Sequence, residues 1–430
     1  MRTRNALAVC SLWLLAACGG PAEEPAAPPA TTVPPVQGPV ELSLPEGFTA
    51  TVFAEGVGKD ARHLAVNANG DVYVNVDGGD EARIVALRDT DGDGRADLQE
   101  SFGSIGGTGI AIRGGHLYAS TRVSVHRYAL DPERLAPAGE PELIVSGLPE
   151  KTEHHAKSIT FDGEGRLYVN VGAPTNACME QKRTPGSPGQ DPCPQREWEA
   201  AVWRFDADRT DQTQREDGQL YSSGSRNLVA LEWNDAVGSL YAVQHGRDDI
   251  ARLWPERYQP EDNAELPAEE MFRIGEGDDL GWPFCYYDPV QKKKLLNPEY
   301  GGDGQTEDRC AGMKQPILAF PAHMAPNDLL FYTGDQFPES YRGGAFVAFH
   351  GSWNRSPQPQ MGYLVAFVPM TDGSPSGEWS VFADGFSGLE QVPEPAAAAH
   401  RPCGLAVGPD GSLYVSDSVE GTIWRIRYTG

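Results

Sequence analysis

One phrase recurs along this chain and constrains its fold more than any other feature. Leu64-Ala-Val-Asn-Ala-Asn-Gly-Asp-Val-Tyr-Val returns as Ile110-Ala-Ile-Arg-Gly-Gly-His-Leu-Tyr-Ala and as Ile159-Thr-Phe-Asp-Gly-Glu-Gly-Arg-Leu-Tyr-Val. Longer-turned or weaker copies run over 230–243 and 329–349, and a clear one is Leu405-Ala-Val-Gly-Pro-Asp-Gly-Ser-Leu-Tyr-Val. Each copy is an apolar strand, a Gly/Asp turn and a second strand, which together make a β-hairpin. A third strand follows each, over 83–87, 125–128, 201–205, 271–274, 363–367 and 422–426. Six hairpins with six third strands predict an all-β, six-bladed β-propeller, with a sandwich as the alternative.

Fourth strands repeat too. Val52-Phe-Ala-Glu-Gly echoes Val381-Phe-Ala-Asp-Gly, and 143–147 is a looser copy. The copy at Val52 precedes the first hairpin and has no blade of its own. It is expected to complete the last blade, closing the ring and removing an exposed edge.

The first residues read as targeting rather than fold. Arg2 and Arg4 precede an apolar run from Ala6 to Ala17, too short to span a bilayer. That run ends in Leu15-Ala-Ala-Cys18-Gly19, which resembles the bacterial lipobox and predicts acylation of Cys18 after removal of residues 1–17. Residues 18–42 then read as a Pro-rich tether and 43–430 as the propeller. On this reading the protein is exported and faces the periplasm or the cell exterior, touching the membrane only through lipid. A formal charge of −26 argues against nucleic acid and anionic headgroups as partners. Beyond Cys10 and Cys18, Cys178 and Cys193 bracket one Gly/Pro-rich loop, and Cys285 and Cys310 bracket another. Two loop-closing disulfides are plausible in an exported chain, leaving Cys403 as a buried thiol.

Asp89-Thr-Asp91-Gly-Asp93-Gly-Arg95-Ala-Asp97-Leu-Gln-Glu100 fills every position of a twelve-residue calcium loop. Carboxylates come from Asp89, Asp91, Asp93 and Glu100, the carbonyl of Arg95 is a further ligand, and Asp97 acts through water. The alternative is a solvated acidic turn, in which four carboxylates would crowd together without a counter-ion.

In a propeller, residues just before each innermost strand point toward the axis. Those positions hold Arg62, Thr108, His154, Arg226 with Asn227, Asn327 and Arg401. Three arginines in so acidic a chain describe a pocket for a polyanion, with one titratable base facing it.

Several runs resemble the quinoprotein sugar dehydrogenases of the soluble glucose dehydrogenase and sorbosone dehydrogenase kind. They are His154-His155-Ala-Lys157, Gly224-Ser-Arg226-Asn227, Gln244-His245-Gly246-Arg247-Asp248, Gly281-Trp282-Pro283, His350-Gly-Ser-Trp353-Asn354-Arg355 and His400-Arg401-Pro402. The resemblance covers nearly the whole chain from Leu44 and implies pyrroloquinoline quinone (PQQ) and Ca2+ as cofactors. It implies that His154 is the general base and that Arg226 and Asn227 contact the quinone oxygens. Arg401 would bind a carboxylate, while Lys157 and Arg355 stand where the family has basic residues near the cofactor. Arg62 joins them as an axial arginine. The backbone carbonyls of Gly246 and Arg247 would hold calcium against the quinone. Glu270 stands where the glucose enzymes place a ligand of a separate calcium site, although the preceding loop is longer here. His155 is a second candidate base, ranked lower because its offset from Gly172 is one residue out. The implied reaction is oxidation of an aldose or sugar aldehyde to a lactone or acid, with electrons passing to a periplasmic cytochrome or quinone. A propeller lactonase or a non-catalytic glycan-binding propeller would be the alternatives.

Overall fold

The structure is a computed structural model that describes residues 40–150 and 153–430. The expected signal segment, Cys18 and nearly all of the tether lie outside the described residues. No helix among those described is long and apolar enough to cross a membrane.

Six antiparallel sheets of four or more strands form a six-bladed propeller. Blade 1 comprises Ala61–Val66, Val72–Val76, Arg83–Arg88 and Leu98–Phe102. Blade 2 comprises Ile110–Arg113, His116–Ser120, Val125–Ala129 and Glu142–Ser146, with Gln212–Thr213 added in parallel at its edge. Blade 3 holds Ile159–Phe161, Arg166–Val171, Ala201–Asp206 and Gln219–Ser223, and blade 4 holds Ala230–Asn234, Ser239–Gln244, Glu269–Ile274 and Leu318–Phe320. Blade 5 is Pro326–Phe331, Ala345–Phe349, Leu364–Val368 and Ser380–Ala383. Blade 6 is Pro402–Val407, Leu413–Asp417 and Ile423–Tyr428, completed by Phe48–Ala54 from the other end of the chain. The innermost strands touch in sequence, and the ring closes where Ala61–Val66 meets Pro402–Val407.

Alternation along the strands explains the packing. Side chains on opposite strand faces enter opposite inter-blade spaces, so the apolar core is divided into six layers. The recurrent tyrosine of the repeat has a reason. Tyr73, Tyr118 and Tyr241 donate their hydroxyls to the carbonyls of Leu135, Ala207 and Gly373 in the next blade at 2.7–3.1 Å. Each ring fills an apolar layer while its polar tip is satisfied across the blade interface.

Long insertions in blades 3 and 4 stand over one end of the channel. Disulfides Cys178–Cys193 and Cys285–Cys310 close them, and both pairs pack in one cluster with Trp282 and Phe284. Cys403 is a free, buried thiol that accepts a 3.5 Å contact from Asn327 Nδ2.

Around Asp89 the chain bends as the acidic repeat requires. Backbone N–H groups of Gly92 and Gly94 donate to the two Asp89 oxygens at 2.7 and 2.9 Å. Ligand-capable atoms of Asp89, Asp91 and Asp97 lie within 4.8 Å of one another. Asp93 and Glu100 are not in that cluster: Asp93 accepts from Arg95 N, and Glu100 sits on the outer strand opposite Ala86. The loop does not lack a counter-charge, since Arg425 of blade 6 reaches it and feels Asp89.

Candidate active site

His154 lies in the connection entering blade 3, with a positive φ of 44°. A non-glycine residue held there is strained unless its surroundings impose it. Its Nδ1 donates to the Ala173 carbonyl at 2.6 Å, so the Nε2 lone pair is left toward the pocket. Burial, then the charge of Arg226, push its pKa well below the ordinary value. The ring is therefore a neutral base at physiological pH. The adjacent His155 is committed elsewhere, its Nε2 lying 3.0 Å from Asp77 Oδ2.

A cavity of about 150 Å³ is lined by His154, Arg226, His245, Asp248, Glu269 and Trp353, with Gly246, His323 and Ala325. Arg226, 4% exposed, donates through one terminal nitrogen to Asp248 Oδ2 at 2.7 Å and to Asn176 Oδ1 at 3.1 Å. Its Nε is buried with no partner. The same holds for Arg62 Nε and Thr108 Oγ1, two other axial positions. Unsatisfied buried donors cost about 1–3 kcal/mol each, and Arg247 Nε and Arg355 Nε, away from the ring, are in the same state. Arg62 and Arg401 belong to the same axial field. Arg62 depresses His245 and His350, Arg401 depresses His350, and Arg226 depresses His154 and His245. Arg401 is tied to the carbonyls of His350 and Gly351 and lies over the Tyr363 ring, with its own pKa lowered by burial. Asn227 is buried beside His154, both flanking Gly172.

Other expected residues are placed differently. Arg355 is 2% exposed, and its terminal nitrogens serve the carbonyls of Ala264 and Ala322 and the Glu265 carboxylate. It ties loops together rather than joining the ring. Lys157 is fully buried with Nζ on the His155 carbonyl. Asn327 turns its amide to Cys403. Glu270 is paired with Lys294 at 2.6 Å, so that carboxylate already has its cation. Its neighbour Glu269 faces the pocket instead, accepting from the N–H groups of Gly246 and Ala325, with its pKa raised by burial to about 8. The Arg247 guanidinium is locked in a buried bidentate pair with Glu299. Its role is structural, whereas no hydrogen bond among the described residues occupies the carbonyls of Gly246 and Arg247.

His245, Asp248, Glu269, His323 and Trp353 were not given roles from sequence. A usable signal existed for part of the set. In each hairpin the end of the second strand pairs with the start of the first, as Ala230 does with Val243 and Pro326 with Phe349. The residue after the second strand therefore also returns to the axis, and this position holds Asp77, His245 and His350.

At the far end of the channel a second cavity of about 530 Å³ is lined by innermost-strand residues, including His63, Glu232 and Asp328. Burial raises both carboxyls to about 8 and lowers His63 to about 4.

Residues 42–429 match the TrAA12-like family. This chain belongs to that family. It is 28% identical over 243 residues to a PQQ-dependent pyranose dehydrogenase of Coprinopsis cinerea, covering 49% of this chain but 31% of that protein. The chain thus spans about a third of that relative's length. A PQQ-dependent sugar dehydrogenase of Hypocrea jecorina is 22% identical, with 57% of each chain covered. Among solved structures, the PQQ domain of the Coprinopsis enzyme in its holo form superposes with a TM-score of 0.72 at 21% identity, over 92% of this chain and 98% of that one. PQQ-bound aldose sugar dehydrogenase from Streptomyces coelicolor gives 0.55 at 17% identity, over 90% and 99%. These likenesses show a shared propeller fold.

Proposed function

We propose that this TrAA12-like chain is a PQQ- and calcium-dependent dehydrogenase that oxidises an aldose or sugar aldehyde to a lactone or acid. The observation that carries the reading is the pairing of a neutral, oriented His154 with a buried Arg226 in one axial pocket. A tricarboxylate quinone suits the axial arginines Arg62, Arg226 and Arg401. Calcium suits the carbonyls of Gly246 and Arg247, to which no described residue hydrogen-bonds, and its charge would favour ionising the nearby Glu269 carboxyl. PQQ, when bound, supplies the two-electron acceptor for hydride. His154 Nε2 takes the hydroxyl proton of a lactol or aldehyde hydrate, and Ala173 holds the ring in the tautomer that can do so. Arg226 offers a donor and a positive charge where oxyanion character develops, in a site drier than water. Trp353 is 53% exposed at the rim of this pocket and gives a sugar ring an apolar face to lie on. Electrons would leave for a cytochrome or quinone acceptor. The lipid anchor at Cys18 would keep the enzyme on a membrane facing the periplasm or exterior.

The test begins with purified protein titrated with PQQ and calcium, following the visible spectrum and then dye reduction with a panel of aldoses. Binding and activity should appear only with both cofactors. His154→Ala should keep PQQ binding and lose ~10²-fold or more in turnover, the usual scale for a positioned base, while His155→Ala stays mild. A protein that never binds PQQ would leave a lactonase or glycan-binding propeller as the better reading.

A further inference from the structure

Asn176, just before the loop closed by Cys178–Cys193, and Arg183, inside it, converge on Arg226 and its partner Asp248. Asn176 Oδ1 accepts from Arg226 at 3.1 Å and from the Asp248 backbone N–H at 2.8 Å, while its Nδ2 returns a bond to the Asp248 carbonyl at 2.9 Å. Seven residues on, Arg183 reaches Asp248 Oδ2 at 3.2 Å, the same oxygen that holds Arg226. Arg183 also grips Asp249 Oδ2 at 2.8 Å and Glu153 Oε1 at 3.5 Å, the latter on the residue preceding His154. Its φ of 49° and that of Asp249, 61°, show backbone bent to make these contacts.

An arginine paired one-to-one with a buried carboxylate presents a neutral pair to its surroundings. Asp248 is not paired one-to-one: two guanidiniums share one of its oxygens. The second cation draws on the carboxylate charge, and Arg226 keeps positive field toward the pocket. The geometry is also restrictive, because Asp248 is held on both its backbone and side chain before Arg226 reaches it. Hydrogen bonds that fix a ligand-binding group from behind are as consequential as the group itself.

We propose that Arg183 is a positioning residue for Arg226: acting through Asp248 from the disulfide-closed loop, it sets the orientation and the effective charge of the arginine that faces the quinone and the substrate. This rests on the PQQ dehydrogenase reading for its catalytic consequence, but the electrostatic link exists in the protein without cofactor. Arg226, Asp248 and His245 act most strongly on His154, Glu269 and His323 line the same pocket, and Glu153 precedes it in the chain. Removing Arg183 takes a positive charge from behind Asp248 and leaves that carboxylate acting more strongly on the histidine.

The experiment uses the full chain and two readouts. In cofactor-free protein, the titration of His154 is followed by NMR in wild type, Arg183→Ala and Arg183→Lys. In protein loaded with PQQ and calcium, quinone affinity is read from the spectrum, and kcat and KM are measured with an aldose. Arg183→Ala should raise the His154 pKa, weaken PQQ binding and lower kcat about 10-fold, with KM for sugar little changed. Arg183→Lys should recover the histidine titration but only part of the affinity, since it restores charge without the fork. Arg252→Ala, which removes an exposed partner of Asp249 only, should change none of these. Normal His154 titration together with normal PQQ affinity in Arg183→Ala would overturn the proposal, whatever happened to its melting temperature. A shifted His154 titration in a protein that binds no PQQ would uphold the link and sink the dehydrogenase reading instead.

Discussion

Gly172 follows the second strand of blade 3, and a methyl group there would sit 2.7 Å from His154 Cβ and 2.8 Å from its carbonyl oxygen. Neither contact can be relieved by a flexible chain end, so Gly172→Ala must move the base or the strand. Overpacking of this kind costs about 1–3 kcal/mol in stability. The larger effect should be on rate, with turnover falling at least ~10-fold if a displaced base forfeits even part of its usual contribution. Kinetics beside a thermal melt will check whether the rate falls further than stability explains. The place of His154 in the pocket was legible in the sequence because it occupies a repeat position, the approach to an innermost strand. Asp248, Glu269 and Arg183 were not, for different reasons. Glu269 and Glu270 are consecutive on a strand, so only the register decides that one faces the pocket and the other Lys294. Arg183 comes from an insertion outside the repeat, where no periodicity predicts direction. Arg355 stands in a conspicuous motif, yet its terminal nitrogens go to two loop carbonyls and the Glu265 carboxylate, which no repeat position announces.

At the level of elements, the hairpins and third strands fall where the repeat put them, because a period of two with Gly/Asp turns leaves little freedom in register. The acidic loop of blade 1 shows how far such reading goes. Its turn was legible, but the approach of Arg425 from blade 6 was not, being separated from it by most of the chain. The Ala96 N–H donates to the Phe53 carbonyl at 2.7 Å, which joins this loop to the strand that completes blade 6. An ion bound among Asp89, Asp91 and Asp97 would therefore brace the closure of the ring. Calcium should raise the melting temperature by mass action, and Asp91→Ala should reduce that increment. Differential scanning calorimetry across calcium concentrations is the check; equal increments in parent and variant would reduce the loop to a charged turn braced by Arg425.

For the whole molecule, the channel sets a pH dependence. Glu232, Asp328 and Glu269 stay neutral in the fold up to about pH 8, whereas free carboxyls ionise near 4. The folded state binds more protons across that window, so stability falls as pH rises through it. The histidines work oppositely: His63 and His245, lowered to about 4, cost stability as pH falls below 6.5. Above 6.5 only the carboxyls act, and the melting temperature should decline toward pH 8. Glu232→Gln should make that decline shallower, and an unchanged slope would mean that Glu232 is ionised in the native state. The shape of the ring has a mechanical side as well. Phe48, where the closing strand starts, lies opposite Tyr428 near the end of the chain, and the two strands run antiparallel from there. A pull applied at Phe48 and Tyr428 would load the ladder one rung at a time, like a zipper, instead of shearing all its bonds together. A load borne from the N-terminal side alone leaves that seam slack. The same junction brings Phe48 beside Tyr428, so a short splice between these two strands, with new ends cut in a surface turn of another blade, should preserve the ring.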